Sequence, residues 1–537
     1  MSKAFFSLIF ALMVVVSGCS SPIKQWVLPT EPPMAPTADP SSHPNIIFIL
    51  TDDLDMAGLD YMPKVKALLS NQGVSFSNFL ISMALCCPSR SCILRGQYPH
   101  NTQILGNVPP RGGFERFHEL GSEESTVGVW LQAAGYRTAL IGKYLNGYPK
   151  TVEMTYVPPG WDEWYSPVKG APYRQVKFTL NENGKLVDYG TKSEDYGTDV
   201  YTNKALDFMG RSIQTGQPFF AFISVYAPHT PAPAAPRHKA LFNDVSLPRS
   251  PSFNEEDISD KPDAIRNLPL ITDKQIGDLE NEFRKRLRSL QSVDEMVEKI
   301  VQSLQAANQL ENTYIFFTSD NGYHMGQHRL MQGKNTAYEE DIRVPLIIRG
   351  PGVPAAKVVD ALAGNIDLAS TFANIAGAAI PAFVDGRSLL PWLDDSPPAK
   401  WRAAFLLEKG DPNDEIFGEG SGGGEKALIP IIYSDDGILE PPDSPEYDLY
   451  LDVAFKGEPF RGIRTAECTY LEFENGEREL YNLRKDPYQL ENIAGSADET
   501  LLRVLSAWLD SLNHCTAAEC RTAEEFSPPE ARPCFSQ

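Results

Sequence analysis

The chain has 537 residues, 42% of them hydrophobic and 22% charged, which fits two to four domains or one large α/β domain with an appendage. These proportions exclude collagen-like, coiled-coil and wholly disordered chains. Lys and Arg number 48 against 70 Asp and Glu, a formal charge of −22. A general nucleic-acid binder is thereby excluded, and any anionic ligand needs a local basic pocket.

Residues 1–19 read as a targeting segment. Lys3 precedes an apolar run, 4–16, broken only by Ser7 and too short to span a membrane; Val16-Ser17-Gly18-Cys19 follows. Small residues directly before a cysteine resemble a bacterial lipobox, in which that cysteine is acylated and becomes the mature N-terminus. An ordinary signal peptide with an incidental cysteine is the alternative. The expectation is an exported chain, lipid-anchored to a bacterial membrane and facing the periplasm or the exterior. Residues 20–43 then form an extended tether, with seven prolines between Ser20 and Pro44. The eight cysteines are too few for a disulfide scaffold, but export permits disulfides, and Cys515 with Cys520 is the expected pair.

Residues 45–51 are continuously apolar and β-branched, as in a central strand buried on both faces. Similar runs at 136–141, 218–226, 313–318 and 344–348 predict further strands. Helical patterns at 62–72, 125–134, 199–213, 272–307 and 365–376 lie between them, so the class is α/β with a large, mostly parallel sheet flanked by helices. Residues 180–186 predict a hairpin with an Asn-Gly turn. Past about 395 the character changes. Residues 410–448 read as loop, 460–464, 468–473 and 479–483 as short strands, and 499–512 as a final helix. This divides the chain into a catalytic α/β domain, 44–395, and a smaller C-terminal α+β subdomain, 396–537.

Ligands collect at the carboxyl ends of strands in such sheets, and two predicted strands end in acids. One runs into Asp52-Asp53, the other into Ser319-Asp320-Asn321-Gly322. Three Asp and one Asn are hard oxygen ligands suited to Ca2+ or Mg2+ rather than Zn2+; the same residues also serve as ordinary turn and helix caps. Cys86-Cys87-Pro88-Ser89-Arg90 reads as a Pro-marked helix start. A cysteine there could be nucleophilic, or a buried thiol, or half of a disulfide.

Cys86-x-Pro88-Ser89-Arg90, continued by Leu94 and Gly96, resembles the signature of the type I sulfatase family, whose cysteine is oxidised to Cα-formylglycine. Other landmarks follow in order: Thr51-Asp52-Asp53, Gly142-Lys143-Tyr144, Ala227-Pro228-His229, Ser319-Asp320-Asn321-Gly322, Lys334, Arg343-Val344-Pro345, and a C-terminal stretch through Glu491-Asn492. Within the family, Gly96-x-Tyr98-Pro99-His100-Asn101 and Thr318-Ser319-Asp320-Asn321-Gly322-Tyr323-His324 look like the N-acetylglucosamine-6-sulfatase branch. The resemblance implies the alkaline-phosphatase-like fold and hydrolysis of sulfate monoesters. It implies Ca2+, with Mg2+ second, held by Asp52, Asp53, Asp320, Asn321 and the modified Cys86. The hydrated aldehyde of Cys86 would be the nucleophile, Arg90 would orient it, Lys143 and Lys334 would bind the sulfate oxygens, and His229 would be general acid or sulfate contact. The implied partners are a formylglycine-generating enzyme during maturation and a 6-sulfated amino sugar or glycosaminoglycan-type substrate.

Two positions depart from the family pattern. Arg95 stands where Thr is usual, and Leu145 replaces a histidine two residues after the matched lysine, so His229 acts alone or with His324 or His328. His100, His324 and His328 line the substrate entrance or serve as structural hydrogen-bonders. Two other readings stay open: a phosphate or phosphonate ester hydrolase on the same scaffold, and a non-catalytic sulfated-glycan binder. Specificity is expected in the loops 246–274 and 410–448. The acidic charge points to terminal rather than internal engagement of a glycan.

Overall fold

The computed structural model describes residues 43–394, 396–410, 455 and 457–528; the expected signal segment, the tether through residue 42 and most of the 410–448 loop lie outside them. The main sheet has ten strands. On the N-terminal side they are β1 Asn45–Thr51, β2 Val74–Phe76, β3 Arg137–Gly142, β4 Glu163–Gly170, β5 Phe178–Glu182 and β6 Lys185–Tyr189. They continue with β7 Phe219–Ser224, β8 Thr313–Ser319, β9 Leu346–Arg349 and β10 Lys357–Val359. The spatial order is β10-β2-β9-β8-β1-β7-β3-β4-β5-β6. The five central strands, β8 to β4, run parallel, while β9 and the β5–β6 hairpin add antiparallel pairs at the flanks. The sheet is therefore mixed, with its parallel part at the centre.

The apolar run of β1 is buried throughout because each face meets a separate core. Ile47 and Ile49 join one cluster and Ile46, Phe48 and Leu50 the other. Helices cover both faces: α1 Pro63–Leu68, α2 Cys86–Arg95, α3 Val127–Ala133, α4 Gly197–Thr215, α5 Asp273–Ala306 and α6 Asp367–Ile375. Tyr201 and Phe208 of α4 and Leu287 and Leu290 of α5 pack on the Ile47 side. Ile93 of α2, Trp130 of α3 and Phe372 of α6 pack on the other. Each such fully buried side chain contributes roughly 1.5–3 kcal/mol.

The differences from expectation have local causes. The predicted helix 62–72 breaks after α1 into a 3-10 turn, Ser70–Gln72. The strand expected from 344 begins at Leu346, after Pro345, which has no N–H to give a ladder. The Asn-Gly turn forms as expected, with Asn183 and Gly184 both at positive φ, 54° and 85°.

Four antiparallel strands follow: β11 Ala404–Lys409, β12 Phe460–Thr465, β13 Cys468–Phe473 and β14 Arg478–Asn482. The first of them had no counterpart in the sequence expectation. Helix α7, Glu499–Asn513, lays Leu502, Leu505 and Trp508 on this sheet in a cluster shared with Leu80, Cys92 and Tyr98 of the main domain. It is not the last helix. Cys515 and Cys520 are disulfide-bonded across the turn into α8, Ala518–Glu525, and Cys468 is disulfide-bonded as well.

Candidate active site

Strand pairing puts the chemical residues together. Thr51 pairs with Ser319, and both Leu50 and Gly142 pair with Ser224, so β1, β8, β7 and β3 end side by side. The chain leaves this carboxyl edge as Asp52-Asp53, Asp320-Asn321, the loop to His229, and Lys143. Gly142 has φ 105°, and a Cβ there would stand 1.8 Å from the Ser224 carbonyl oxygen. Only glycine allows that approach, which lets the Lys143 N–H bond the same oxygen at 2.8 Å.

Helix α2 brings the fifth segment. Its N-cap, Leu85, supplies no side-chain oxygen, and Asn107 from a neighbouring loop accepts the Cys87 N–H instead, at 2.9 Å. Cys86 is the first helical residue and Arg90 lies one turn on, on the same face. Cys86 is wholly buried, with Sγ 3.4 Å from Asp52 Oδ1 and 2.9 Å from Lys334 Nζ. Lys334 Nζ also donates to Asp53 Oδ1 at 2.8 Å, and Lys143 Nζ to Asp52 Oδ2 at 2.7 Å. Arg90 Nε donates to Asp320 Oδ2 at 2.8 Å and Nη1 to Ser224 Oγ at 2.6 Å. Asp53 is in the left-handed region, φ 67°, and its N–H donates to Asp320 Oδ1 at 3.2 Å. All nine residues singled out in the sequence thus meet in one buried cluster.

The cluster fits a cation. Asp53 Oδ2 and Asn321 Oδ1 are buried acceptors without a hydrogen-bond partner, although buried polar atoms are nearly always paired. Ligand atoms of Asp52, Asp53, Cys86 and His229 lie within 4.8 Å of one another. Three carboxylates face three basic side chains, Arg90, Lys143 and Lys334. A divalent cation added to that balance leaves a positive site that an anion would neutralise.

The titration behaviour follows from this packing. Burial and the Asp52 charge push Asp320 up to about 7 despite Arg90 and Lys143. Burial also acts to raise Asp52, yet Lys143, His229, Arg90 and Lys334 together hold it well below the usual carboxylate range. Burial pushes the Cys86 thiol far up, against the pull of both lysines. It lowers His229, which stays neutral near pH 7 even with Asp53 Oδ2 3.7 Å from Nε2. His229 Nδ1 lies 2.7 Å from the Thr230 carbonyl, so it carries the proton and Nε2 faces the carboxylates.

The other histidines are held by carboxylates. His324 Nδ1 meets Asp341 at 2.9 Å, His328 Nδ1 meets Glu255 at 2.6 Å, and His100 bridges Glu408 and the Cys515 carbonyl, both at 3.0 Å. Leu145 is buried in the Phe48 cluster, so that position brings no group to the site. Arg95 reaches back to the Ser122 and Ser125 carbonyls and lies over the Phe383 ring, a structural use. Sequence reasoning missed Tyr173, whose ring packs on His229 at 4.5 Å and under Lys143 Nζ at 5.1 Å. No local pattern marks that tyrosine. It named Ser319 within its motif but gave it no role; Ser319 caps the turn by accepting the Leu54 N–H at 2.8 Å.

A family model described as Sulfatase matches residues 44–378. The N-acetylglucosamine-6-sulfatase of Capra hircus is 38% identical over 503 residues, covering 91% of this chain and 86% of the relative. The structure of BT4656 in complex with its substrate D-glucosamine-2-N,6-O-disulfate shares the fold, with TM-score 0.69 at 24% identity over 91% of this chain and 100% of that one. The phosphonate monoester hydrolase SpPMH from Silicibacter pomeroyi shares it too, with TM-score 0.64 at 22% identity over 86% and 93%. With the family's model matched over more than half of its length and a named sulfatase aligned along nine-tenths of it, the chain belongs to the sulfatase family and is a sulfuric ester hydrolase.

Proposed function

We propose that the chain removes the 6-O-sulfate of N-acetylglucosamine, or of a related sulfated amino sugar in a glycosaminoglycan-type glycan. Cys86 acts as Cα-formylglycine, with Ca2+ held by Asp52, Asp53, Asp320 and Asn321. The observation that carries this reading is Cys86 buried between Asp52 and Lys334, beside the unpartnered oxygens of Asp53 and Asn321. The sugar is suggested by the name of the Capra hircus relative.

When present, the cation would offset the carboxylate charge and polarise a sulfuryl oxygen, and the hydrated aldehyde would supply the oxygen nucleophile. Thiolate chemistry is disfavoured by the burial that raises Cys86. Lys143 and Lys334 hold the sulfuryl oxygens and absorb the charge that grows on them as the sulfur–oxygen bond to the sugar breaks. Arg90 fixes Asp320 and orients residue 86. An anionic sulfate beside His229 raises its proton affinity, so Nε2 takes up a proton from solvent as the substrate binds and passes it to the departing sugar oxygen. A cleft of about 880 Å³, lined by basic Arg111, Lys409, Arg461 and Arg503 and by acidic Glu408, Glu472, Glu474 and Glu499, includes Met83, three positions before Cys86 in the chain, and is where this reading places the rest of the glycan.

The reading also places the chain outside the cytoplasm on a lipid anchor at Cys19, after maturation by a formylglycine-generating enzyme. Among the described residues no helix is long and apolar enough to cross a membrane. The test is peptide mass spectrometry across Cys86 on protein from a host that has that enzyme, followed by sulfate release from N-acetylglucosamine-6-sulfate. Aldehyde mass and sulfate release are expected. Unmodified thiol from that host overturns the nucleophile; aldehyde without release from this sugar overturns the substrate.

A further inference from the structure

Helix α5 buries one stripe of residues at alternating spacings of four and three: Leu279, Phe283, Arg286, Leu290, Val293 and Val297. Five are apolar and one is arginine. A guanidinium in such a seam is costly unless its donors are used, and here both outer nitrogens are. Nη2 donates to the Asp53 carbonyl at 2.5 Å and to Asp55 Oδ2 at 3.0 Å. Nη1 donates to the Pro228 carbonyl at 3.4 Å, and the guanidinium lies 4.1 Å from the centre of the Tyr323 ring. One turn earlier, Glu282 accepts from Thr230 Oγ1 at 2.8 Å, and that hydroxyl also meets Tyr323 Oη at 3.3 Å.

These contacts reach three loops that leave the carboxyl edge of the sheet, and each loop carries a different site group: Asp53, His229 and Asn321. The Asp53 peptide is gripped on both sides, its N–H by Asp320 and its carbonyl by Arg286. That grip holds a non-glycine residue in the strained left-handed region and turns its carboxylate into the site. We propose that Arg286 and Glu282 are positioning residues for the hydrolysis: Arg286 sets the Asp53 loop for the cation, and Glu282 sets the loop bearing His229. The inference rests on the proposed cation site.

The roles separate by experiment on the full chain, stripped with EDTA and titrated with Ca2+ by calorimetry, with steady-state kinetics on the loaded enzyme. R286K keeps the charge but loses the two-armed donor, and is expected to bind Ca2+ ~10–100-fold more weakly. Its kcat falls by a similar factor while KM stays within about threefold. E282L, which removes the acceptor for Thr230, is expected to lose kcat with Ca2+ affinity unchanged, and keeps the inference testable should R286K not fold. R402K, at a buried arginine away from the site, is the control for mere destabilisation, with a lower melting temperature and unchanged Ca2+ affinity. Wild-type uptake of Ca2+ matched by R286K, or a full kcat in E282L, overturns the corresponding role. A wild-type chain that takes up no Ca2+ overturns the cation site together with the Arg286 role and leaves the Glu282 kinetics standing as a separate result.

Discussion

At the seam with the C-terminal sheet, Arg402 donates to both oxygens of Asp367 and, through Nε, to Glu524 at 3.1 Å. Tyr98 closes the other Glu524 oxygen at 2.5 Å. The side chains of Arg402, Asp367 and Glu524 have no exposed surface, and none of their polar atoms lacks a partner. The cluster at the carboxyl edge is as deeply buried, yet Asp53 Oδ2, Asn321 Oδ1 and Arg90 Nη2 have no hydrogen-bond partner. Both places pay desolvation, but at the first every carboxylate oxygen is bonded within the chain and only Arg387 Nε, beside Glu524, is unmet, whereas at the second two buried acceptors are unmet. Unsatisfied buried acceptors gathered at one strand edge, rather than buried charge as such, separate a site that awaits a ligand from a cluster that holds the fold together.

The sharpest way to break this comparison is to mutate each cluster and read both stability and turnover. C86A should cost on the order of 10⁴-fold or more in kcat, measured as sulfate release, with an unchanged or higher melting temperature. R402M should do the reverse. Stranding Asp367 and Glu524 should cost about 3–5 kcal/mol in denaturant unfolding, with kcat per folded molecule preserved.

A smaller effect lies in the proton count. Burial and Asp52 push Asp320 up to about 7 in the folded chain from ~3.9 unfolded, so between these values the cation-free folded state holds a proton that the unfolded chain has lost. Its contribution to stability therefore declines as pH rises from about 4 to about 7. Taking wild type minus D320N isolates that slope from the opposite contribution of His229. The slope should appear in EDTA-treated protein and flatten on adding Ca2+, read by thermal melts across the range. The smallest expected effect is at the cleft: R503A should raise KM for a sulfated oligosaccharide about two- to fivefold, as a solvent-screened charge contact would, and leave the monosaccharide unchanged.

The sequence made the site's edge legible before its neighbours. Strands β1 and β8 are unbroken apolar runs followed at once by acids, and in a parallel sheet that pattern alone aligns Asp52, Asp53, Asp320 and Asn321. Lys143, Lys334 and His229 were visible only through the family motif, since a buried lysine has no composition that distinguishes it from a surface one. Strand β4 escaped notice because Glu163, Pro167 and Lys169 interrupt its pattern; Glu163 is buried by Arg137 and Arg211, which lie far from it in sequence. Strand β11 ends in Glu408-Lys409, both buried, where alternation predicts surface. Arg286 did leave a signal, an arginine on an apolar stripe, but the partners that make sense of it are carbonyls of distant loops.

The Tyr98–Glu524 bond spans 426 positions of chain. At roughly 5–20 residues per second, a ribosome needs on the order of 20–90 s to travel between them. Until helix α8 has been made, Arg402 has Asp367 but lacks Glu524, and the turn that follows α2 lacks its anchor. The segment around Cys86, sealed from solvent in the finished molecule, therefore spends the length of synthesis without its final packing. Any enzyme that must reach that cysteine has this interval as its window, and the order of residues along the gene sets how long the window stays open.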